Sequence, residues 1–176
     1  MKIIYLLLFA VIVCSCSEDK NDPGIGYEFY IKAELDGELV IYATERSPKS
    51  ANGAYYTHEG NPDGSTLRIQ RWANSTSASN YISIEINRIQ LDDIATPYDI
   101  PQVPTYPAPY FQIAVDDSDD YYGATLLGDK INLSIIDKEN DIISGTFSGE
   151  LKTQSGQTMT VTNGEFRSRI DRIHTN

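Results

Sequence analysis

The sequence is poor in the residues that most catalytic and metal sites use. It has two histidines, two cysteines and one tryptophan in 176 residues. Neither His58 nor His174 belongs to an H-E-x-x-H motif, and the chain contains no G-x-S-x-G turn. These absences argue against a zinc or serine hydrolase. We therefore expect a protein that is not an enzyme and carries no cofactor.

Basic residues are also scarce. The chain has 14 Lys and Arg against 25 Asp and Glu, a formal net charge of −11. With no cluster of Lys or Arg, such a surface repels phosphate backbones, so nucleic acid is not an expected partner. With so many carboxylates, some pair will lie at the spacing of a glycosidase by chance, so composition alone does not predict one.

The chain lacks an apolar run long enough to span a bilayer, which takes about 20 residues. Its longest such run, residues 3–13, has eleven and follows the basic Lys2. A basic start and a short apolar run are typical of a secretory signal peptide. The ending Val13-Cys14-Ser15-Cys16 resembles the bacterial lipobox, in which a small residue precedes the acylated cysteine. Ser15 fits that position and Val13 does not, so Cys16 is the predicted lipidation site.

This interpretation divides the chain into a signal peptide (1–15), a lipidated acidic tether (16–26) and a domain (27–172). The alternative is a plain secreted protein cut elsewhere. The residues Ser17 to Asp19 resemble the surface-export signal of Bacteroidetes lipoproteins, which implies a lipid anchor in the outer membrane and a domain facing outward. The same stretch also reads as a solvated linker without a routing role.

Period-two alternation of apolar residues predicts an all-β domain. Ile82, Ile84 and Ile86 form the clearest strand. Residues 28–43 read as a hairpin around a D-G turn, and residues 131–170 read as a C-terminal meander with an N-G hairpin turn at 163–164. We expect a single antiparallel β-sandwich or barrel of about eight to ten strands. Gly145 and Gly149 fall on its inward face and indicate curvature or close backbone approach.

Two segments read as long loops. Residues 44–65 are rich in Gly, Asn and Pro, with room for a short strand at 54–57. Residues 97–109 hold five prolines, which keep a backbone extended. Ordered loops on a β scaffold often carry binding sites.

Three stretches together resemble a group of small Bacteroidetes lipoproteins of uncharacterised function. They are Phe29-x-Ile31-x-Ala33-x-Leu35-Asp36-Gly37, then residues 137–148 (DKENDIISGTFS), then residues 161–166 (VTNGEF). The resemblance covers both ends of the domain and leaves 44–127 only loosely matched. It implies the fold and the bacterial group, not an activity.

Aromatic residues supply the candidate ligand-binding positions. Tyr98, Tyr106 and Tyr110 interleave with prolines, and Trp72 alternates with the apolar residues of its strand, which predicts that its ring faces outward. Exposed rings stack on sugars or anchor protein partners. The simpler interpretation is that these rings cap the ends of the β core.

The run Asp116-Asp117-Ser118-Asp119-Asp120 is the best metal candidate, because calcium favours clustered oxygen ligands. The EF-hand pattern fails here: the sixth position is Tyr121 and the twelfth is Leu127. A solvated acidic turn explains the run equally simply, and we predict no metal site.

Together these features predict a lipid-anchored envelope lipoprotein that acts as a non-catalytic binding or accessory module for a glycan or an envelope protein. The alternative is a structural or inhibitory lipoprotein that braces or blocks a protein partner, with the segment 97–109 as its contact.

Overall fold

The fold is that of a computed structural model, which describes residues 27–44, 54–58, 62–74, 79–101, 109–116, 121–124 and 131–174. Within these ranges it is almost entirely β, with one short 3₁₀ turn at Pro62–Gly64. The twelve strands are β1 (Tyr30–Leu35), β2 (Glu38–Tyr42), β3 (Tyr55–His58), β4 (Thr66–Trp72), β5 (Tyr81–Asn87), β6 (Tyr98–Asp99), β7 (Tyr110–Asp116), β8 (Tyr121–Ala124), β9 (Ile131–Glu139), β10 (Ile142–Lys152), β11 (Thr158–Arg169) and β12 (Asp171–His174).

All twelve strands belong to one sheet, in the order β12-β3-β4-β5-β7-β8-β10-β11-β1-β2, with β9 paired to β10 and β6 paired to β9. The all-β prediction is confirmed. The strands outnumber the predicted eight to ten because β6, β8 and β12 are short and carry little alternation. One pair is parallel, β12 with β3, so the sheet is mixed rather than purely antiparallel. No helix in the described ranges has the length and apolar character needed to cross a bilayer.

The sheet curls back on itself near the end of β4. Thr44, two residues after β2, exchanges two backbone hydrogen bonds with Trp72, each 3.1 Å long. This isolated bridge brings the β2 end of the open ladder to β4. The strands from β4 round to β2 therefore enclose a core, and β3 and β12 extend the sheet beyond β4.

The core is a single cluster built from the inward positions of nearly every strand. Ile69, Ile84 and Ile113 lie side by side on three paired strands, and Phe147 and Phe166 belong to the same buried cluster. Burying each such side chain contributes about 1.5–3 kcal/mol relative to exposure.

One inward position carries a charge. Arg71 is fully buried, and its guanidinium donates hydrogen bonds to the Gln70 carbonyl (2.9 Å) and to Ser168 Oγ (2.6 Å). Buried charges need such partners because desolvation is costly. Arg71 and Ser168 are 97 residues apart, so no local pattern predicts their contact.

The first hairpin forms as predicted. Asp36 and Gly37 both have positive φ (50° and 85°), the conformation that a two-residue type I′ turn requires. Asp36 also binds across to β11: its amide donates to the Thr160 carbonyl, and its Oδ1 accepts from the Thr160 amide at 2.7 Å. The D-G turn therefore fixes β1 against both β2 and β11.

The predicted hairpin at Asn163–Gly164 is wrong. β11 runs straight through these residues from Thr158 to Arg169. Its pairing with β10 shifts between Phe147 and Gly149, and its pairing with β1 shifts between Lys32 and Glu34. In both ladders β11 contributes the additional residue, so Asn163, with a φ of 50°, is taken up by a β-bulge.

A cluster of ionic contacts holds the turn after β5 against the end of the sheet. The Arg172 guanidinium binds both carboxylate oxygens of Asp92 at 3.0 Å and Asp141 Oδ1 at 2.8 Å. Hydrogen bonding to these two carboxylates raises the pKa of Arg172 above its ordinary value. The Lys138 ammonium donates to the carbonyls of Leu91 (2.6 Å) and Ile94 (3.2 Å). We call these contacts the Arg172 clamp.

Candidate functional site

The outer face of the C-terminal meander carries a row of small polar side chains. Inward positions of β9, β10 and β11 are apolar and buried, as with Leu133, Phe147 and Phe166. The residues between them therefore face outward, because side chains alternate along a strand. In the middle of the face they are mostly Ser, Thr and Asn, which present hydroxyl and amide groups, while charged residues such as Lys152 and Arg169 lie towards the strand ends.

These residues line an open groove of about 400 Å³. Its walls come from adjacent positions of three strands: Asn132, Ser134, Thr146, Phe147, Ser148, Asn163, Gly164 and Glu165. We call it the meander groove. Glu165 is the one charged residue among the eight, and Phe147 and Gly164 are themselves buried. The wall is therefore chiefly neutral hydrogen-bonding groups.

The bulge in β11 shapes the groove. Asn163 is exposed and its φ is positive, so its side chain departs from the regular alternation of the strand. Beside it, a Cβ on Gly164 would lie 2.8 Å from ring atoms of Phe147. Glycine is required at this position because the backbone of β11 passes directly over that ring.

The two ends of the groove are already hydrogen-bonded. Ser134 Oγ donates to the Asp99 carboxylate, and Glu165 Oε2 lies 3.1 Å from Lys32 Nζ. Between them, the side chains of Thr146, Ser148 and Asn163 make no hydrogen bond to any described residue. The middle of the groove thus presents donors and acceptors that are satisfied by solvent or by a ligand.

Trp72, predicted to face outward, is 2 % exposed. Its ring centroid lies 5.9 Å from that of Tyr81, the residue opposite on β5, and its backbone is bonded to Thr44. The outward-facing prediction is wrong because the Thr44 bridge and the Tyr81 ring enclose this end of β4. The alternation along β4 holds only as far as Ile69, since Gln70 is buried as well.

The other aromatic candidates do not form a platform with Trp72. Tyr98 lies in β6, half-buried against the core, and Tyr110 begins β7 with the Arg88 guanidinium 5.3 Å from its ring centroid. Trp72 and Tyr110 belong to opposite ends of the β4–β5–β7 ladder, six residues or ~20 Å apart along the strands. Tyr106 lies outside the described residues.

A smaller depression of about 90 Å³ lies on the outer face of β4, β5 and β7. Arg68 lines it together with Glu85, its cross-strand partner, and with Gln112. The Arg68 Nη2 donates to Gln70 Oε1 at 2.9 Å, while its buried Nε has no partner in the described chain. The carboxylate of Glu85 in the same depression disfavours an anionic ligand, so we do not assign it a function.

The remaining predicted positions are only partly described. Asp116 ends β7 and is half-buried, whereas Asp117, Asp119 and Asp120 lie outside the described residues, as does Cys16. In the ranges given above, no group of three or more His, Cys, Asp or Glu side chains is arranged to hold a metal ion.

The meander groove was not predicted from the sequence. Its signal was visible, because Asn132, Ser134, Thr146 and Ser148 occupy alternate positions of two neighbouring strands. The same alternation is typical of any solvated sheet face. The bulge at Asn163, which belongs to the groove lining, could not be predicted because the N-G pair at this position favoured a hairpin.

Comparison of the chain with protein-family models, with curated proteins and with solved structures finds no match.

Proposed function

We propose that this protein is a lipid-anchored envelope lipoprotein whose β domain is a non-catalytic binding module for a neutral glycan, with the meander groove as the binding site. The observation that carries the proposal is the chemistry of the groove. Hydroxyl and amide groups line its middle, and a carboxylate with its lysine partner lies at one end. Sugar hydroxyls both donate and accept hydrogen bonds, and this lining offers both kinds of group.

Charge supports a neutral ligand over an anionic one. None of the eight lining residues is basic, and the whole chain has a net charge of −11. A phosphate or an acidic polysaccharide would meet Glu165 and the Asp99 carboxylate without a compensating cation in the middle of the groove. A neutral ligand avoids that repulsion.

Geometry supports binding rather than hydrolysis. Glycosidases place two carboxyl groups about 5–10 Å apart. Asp99 and Glu165 are separated by three strand spacings across β6, β9, β10 and β11, or ~14 Å. Each is also engaged, by Ser134 and by Lys32. This pair is therefore poorly placed to attack a glycosidic bond, which supports a module without catalysis.

The anchoring part of the proposal depends on the sequence. Cys16 is the predicted lipid carrier, and two or more acyl chains give stable membrane attachment at about 0.8 kcal/mol per buried methylene. The acidic residues after it support an outward-facing domain. A surface glycan would then be within reach of the groove.

One observation favours the alternative of a brace or inhibitor. The start of the proline-rich segment is fixed to the sheet: Tyr98 and Asp99 pair with β9, and the Ile100 amide donates to the Leu133 carbonyl at 2.9 Å. A segment held in this way can present prolines to a protein partner. Efficient crosslinking in intact envelopes would then recover one stoichiometric protein, and its absence would count against this alternative.

The glycan proposal is tested by screening the purified protein against an array of neutral and acidic glycans, and by measuring the affinity of the best ligand for three variants. Thr146→Val and Ser148→Ala remove hydroxyls, and Asn163→Gly removes the amide while keeping a residue that tolerates positive φ. We expect each to weaken binding about five- to tenfold, since a lost hydrogen bond contributes about 1 kcal/mol.

Thr160→Val is the matched control. Thr160 is an exposed threonine of β11 outside the groove, so its loss should leave affinity unchanged. The proposal would be contradicted if no neutral glycan bound, or if all four variants bound the ligand equally well.

A further inference from the structure

The meander groove belongs to a longer row of polar side chains that crosses five strands. Register places Asp99 of β6 opposite Ser134 of β9, Ser134 opposite Thr146 of β10, and Thr146 opposite Glu165 of β11. Glu165 in turn pairs with Lys32 of β1. Paired residues project to the same side of a sheet, so the five side chains form one continuous line perpendicular to the strands.

This row is much longer than the groove is wide. Five strands at ~4.8 Å spacing give ~19 Å from Asp99 to Lys32, whereas two outward positions along one strand span ~7 Å. Along the strands the polar lining contributed by β9 is short, from Asn132 to Ser134. β9 begins at Ile131, and beyond Ser134 the exposed Ile136 sits at a register shift in β9.

We infer that the ligand is a linear neutral oligosaccharide of about four sugars that lies across the strands, from Asp99 to the Glu165–Lys32 pair. This inference rests on the proposed function and specifies the length and direction of its ligand. A pyranose unit is about as long as one strand spacing, ~5 Å, so successive sugars meet successive strands. The chain would place its inner sugars on Thr146, Ser148 and Asn163.

The charged residues at the two ends of the row determine the length of the ligand. A hydrogen bond to a carboxylate or an ammonium is about twice as strong as one between neutral groups. Each carboxylate has acceptor sites beyond the one used by Ser134 or Lys32, so a ligand long enough to reach both Asp99 and Glu165 gains two such contacts, while a shorter one reaches only one of them. Beyond Lys32 the register continues to Ile41 of β2, an apolar residue, so further sugars at that end find no additional polar side chain in the row.

The experiment measures the affinity of neutral oligosaccharides of one to six residues, from the cello-, malto-, manno- and xylo-oligosaccharide series, for the full-length protein. In the series that binds, we expect affinity to rise about threefold or more per added sugar up to four residues and then to level off. Equal affinity of the monosaccharide and the tetrasaccharide would overturn this inference and leave the proposed function intact. Absence of binding in all series would overturn both.

A variant at one end sharpens the test. Asp99→Asn should lower tetrasaccharide affinity several-fold and disaccharide affinity much less, because only the longer chain spans from the inner sugars to β6. Asp93→Asn is the matched control, since Asp93 is an exposed aspartate of the turn after β5 and lies outside the row. Equal losses for both ligand lengths in Asp99→Asn would contradict the proposed orientation.

Discussion

At the scale of single residues, Gly145 and Gly164 allow the strands of the meander to pack closely, and Gly145 is the clearer case. The sequence placed Gly145 and Gly149 on the inward face and predicted curvature or close backbone approach there, and close approach is found at Gly145. A Cβ at Gly145 would overlap the Ser134 carbonyl oxygen and the Phe166 ring. The physical reason is general: a glycine within an apolar strand offers no side chain to pack, so it marks a place where something else fills that space.

Gly145→Ala should therefore lower the free energy of unfolding by about 3 kcal/mol, because the carbonyl of a paired strand cannot move aside as a flexible side chain does. Urea denaturation followed by circular dichroism measures the change. Ser144→Ala, one residue earlier and outward-facing, is the control and should stay within about 0.5 kcal/mol of the wild type. Equal stability of the two variants would show that β9 and Phe166 yield to the added methyl group.

At the scale of elements, local turn signals predicted some connections correctly and one wrongly. Asp36–Gly37 ends a strand whose partner follows at once, and both residues adopt the positive φ that a type I′ turn needs. Asn163–Gly164 carries the same kind of sequence signal, yet only Asn163 has a positive φ and β11 continues through the pair. The difference lies in tertiary pairing: β11 has long partners on both sides, β10 and β1, and their ladders are preserved by a bulge but would be broken by a reversal.

The Arg172 clamp is an element that sequence reasoning missed, since it joins β12 to Asp92, 80 residues away, and to the β9–β10 turn. Arg172→Ala should destabilise the fold by about 1 kcal/mol, a modest amount because the side chains are partly exposed. Thermal unfolding measures this loss. Arg172→Lys keeps the charge but loses the bidentate contact with Asp92, so the stability of this variant should lie between those of the wild type and Arg172→Ala.

The direction of the pKa shift of Arg172 determines how its contribution to stability depends on pH. Because the pKa of Arg172 is raised in the folded state, its contribution to stability is fully present below the ordinary pKa of an arginine and is lost only as the pH rises through the raised value. The stability difference between wild type and Arg172→Ala should thus show no decline between pH 7 and pH 10. A difference that vanished within this range would contradict the role assigned to the arginine charge.

At the scale of the whole molecule, the sequence predicted the class of fold because alternation is a repeated signal carried by many residues. It predicted the site poorly because a site depends on a few positions brought together by pairing. The aromatic residues illustrate this. Trp72 and Tyr110 lie at opposite ends of one ladder, while the meander groove unites ordinary Ser, Thr and Asn residues from three strands.

The location of the molecule is tested on intact cells that produce a tagged protein, with a periplasmic protein as the lysis control. We expect external protease to digest the domain without lysis if the acidic residues after Cys16, which resemble a surface-export signal, act as one. Cys16→Ala should release or mislocalise the protein, whereas Cys14→Ala should not. If the domain is protected until lysis, residues 17–24 are a plain linker. If Cys14→Ala releases the protein and Cys16→Ala does not, the lipobox assignment is overturned.

The most direct test of the central claim is a chemical-shift map of the isotope-labelled protein titrated with its best neutral oligosaccharide. The account predicts saturable shifts that are largest at the amides of Thr146, Ser148 and Asn163, and small shifts around Arg68 on the β4–β5–β7 face. Largest shifts on that opposite face, or no saturable change at the meander groove, would contradict it.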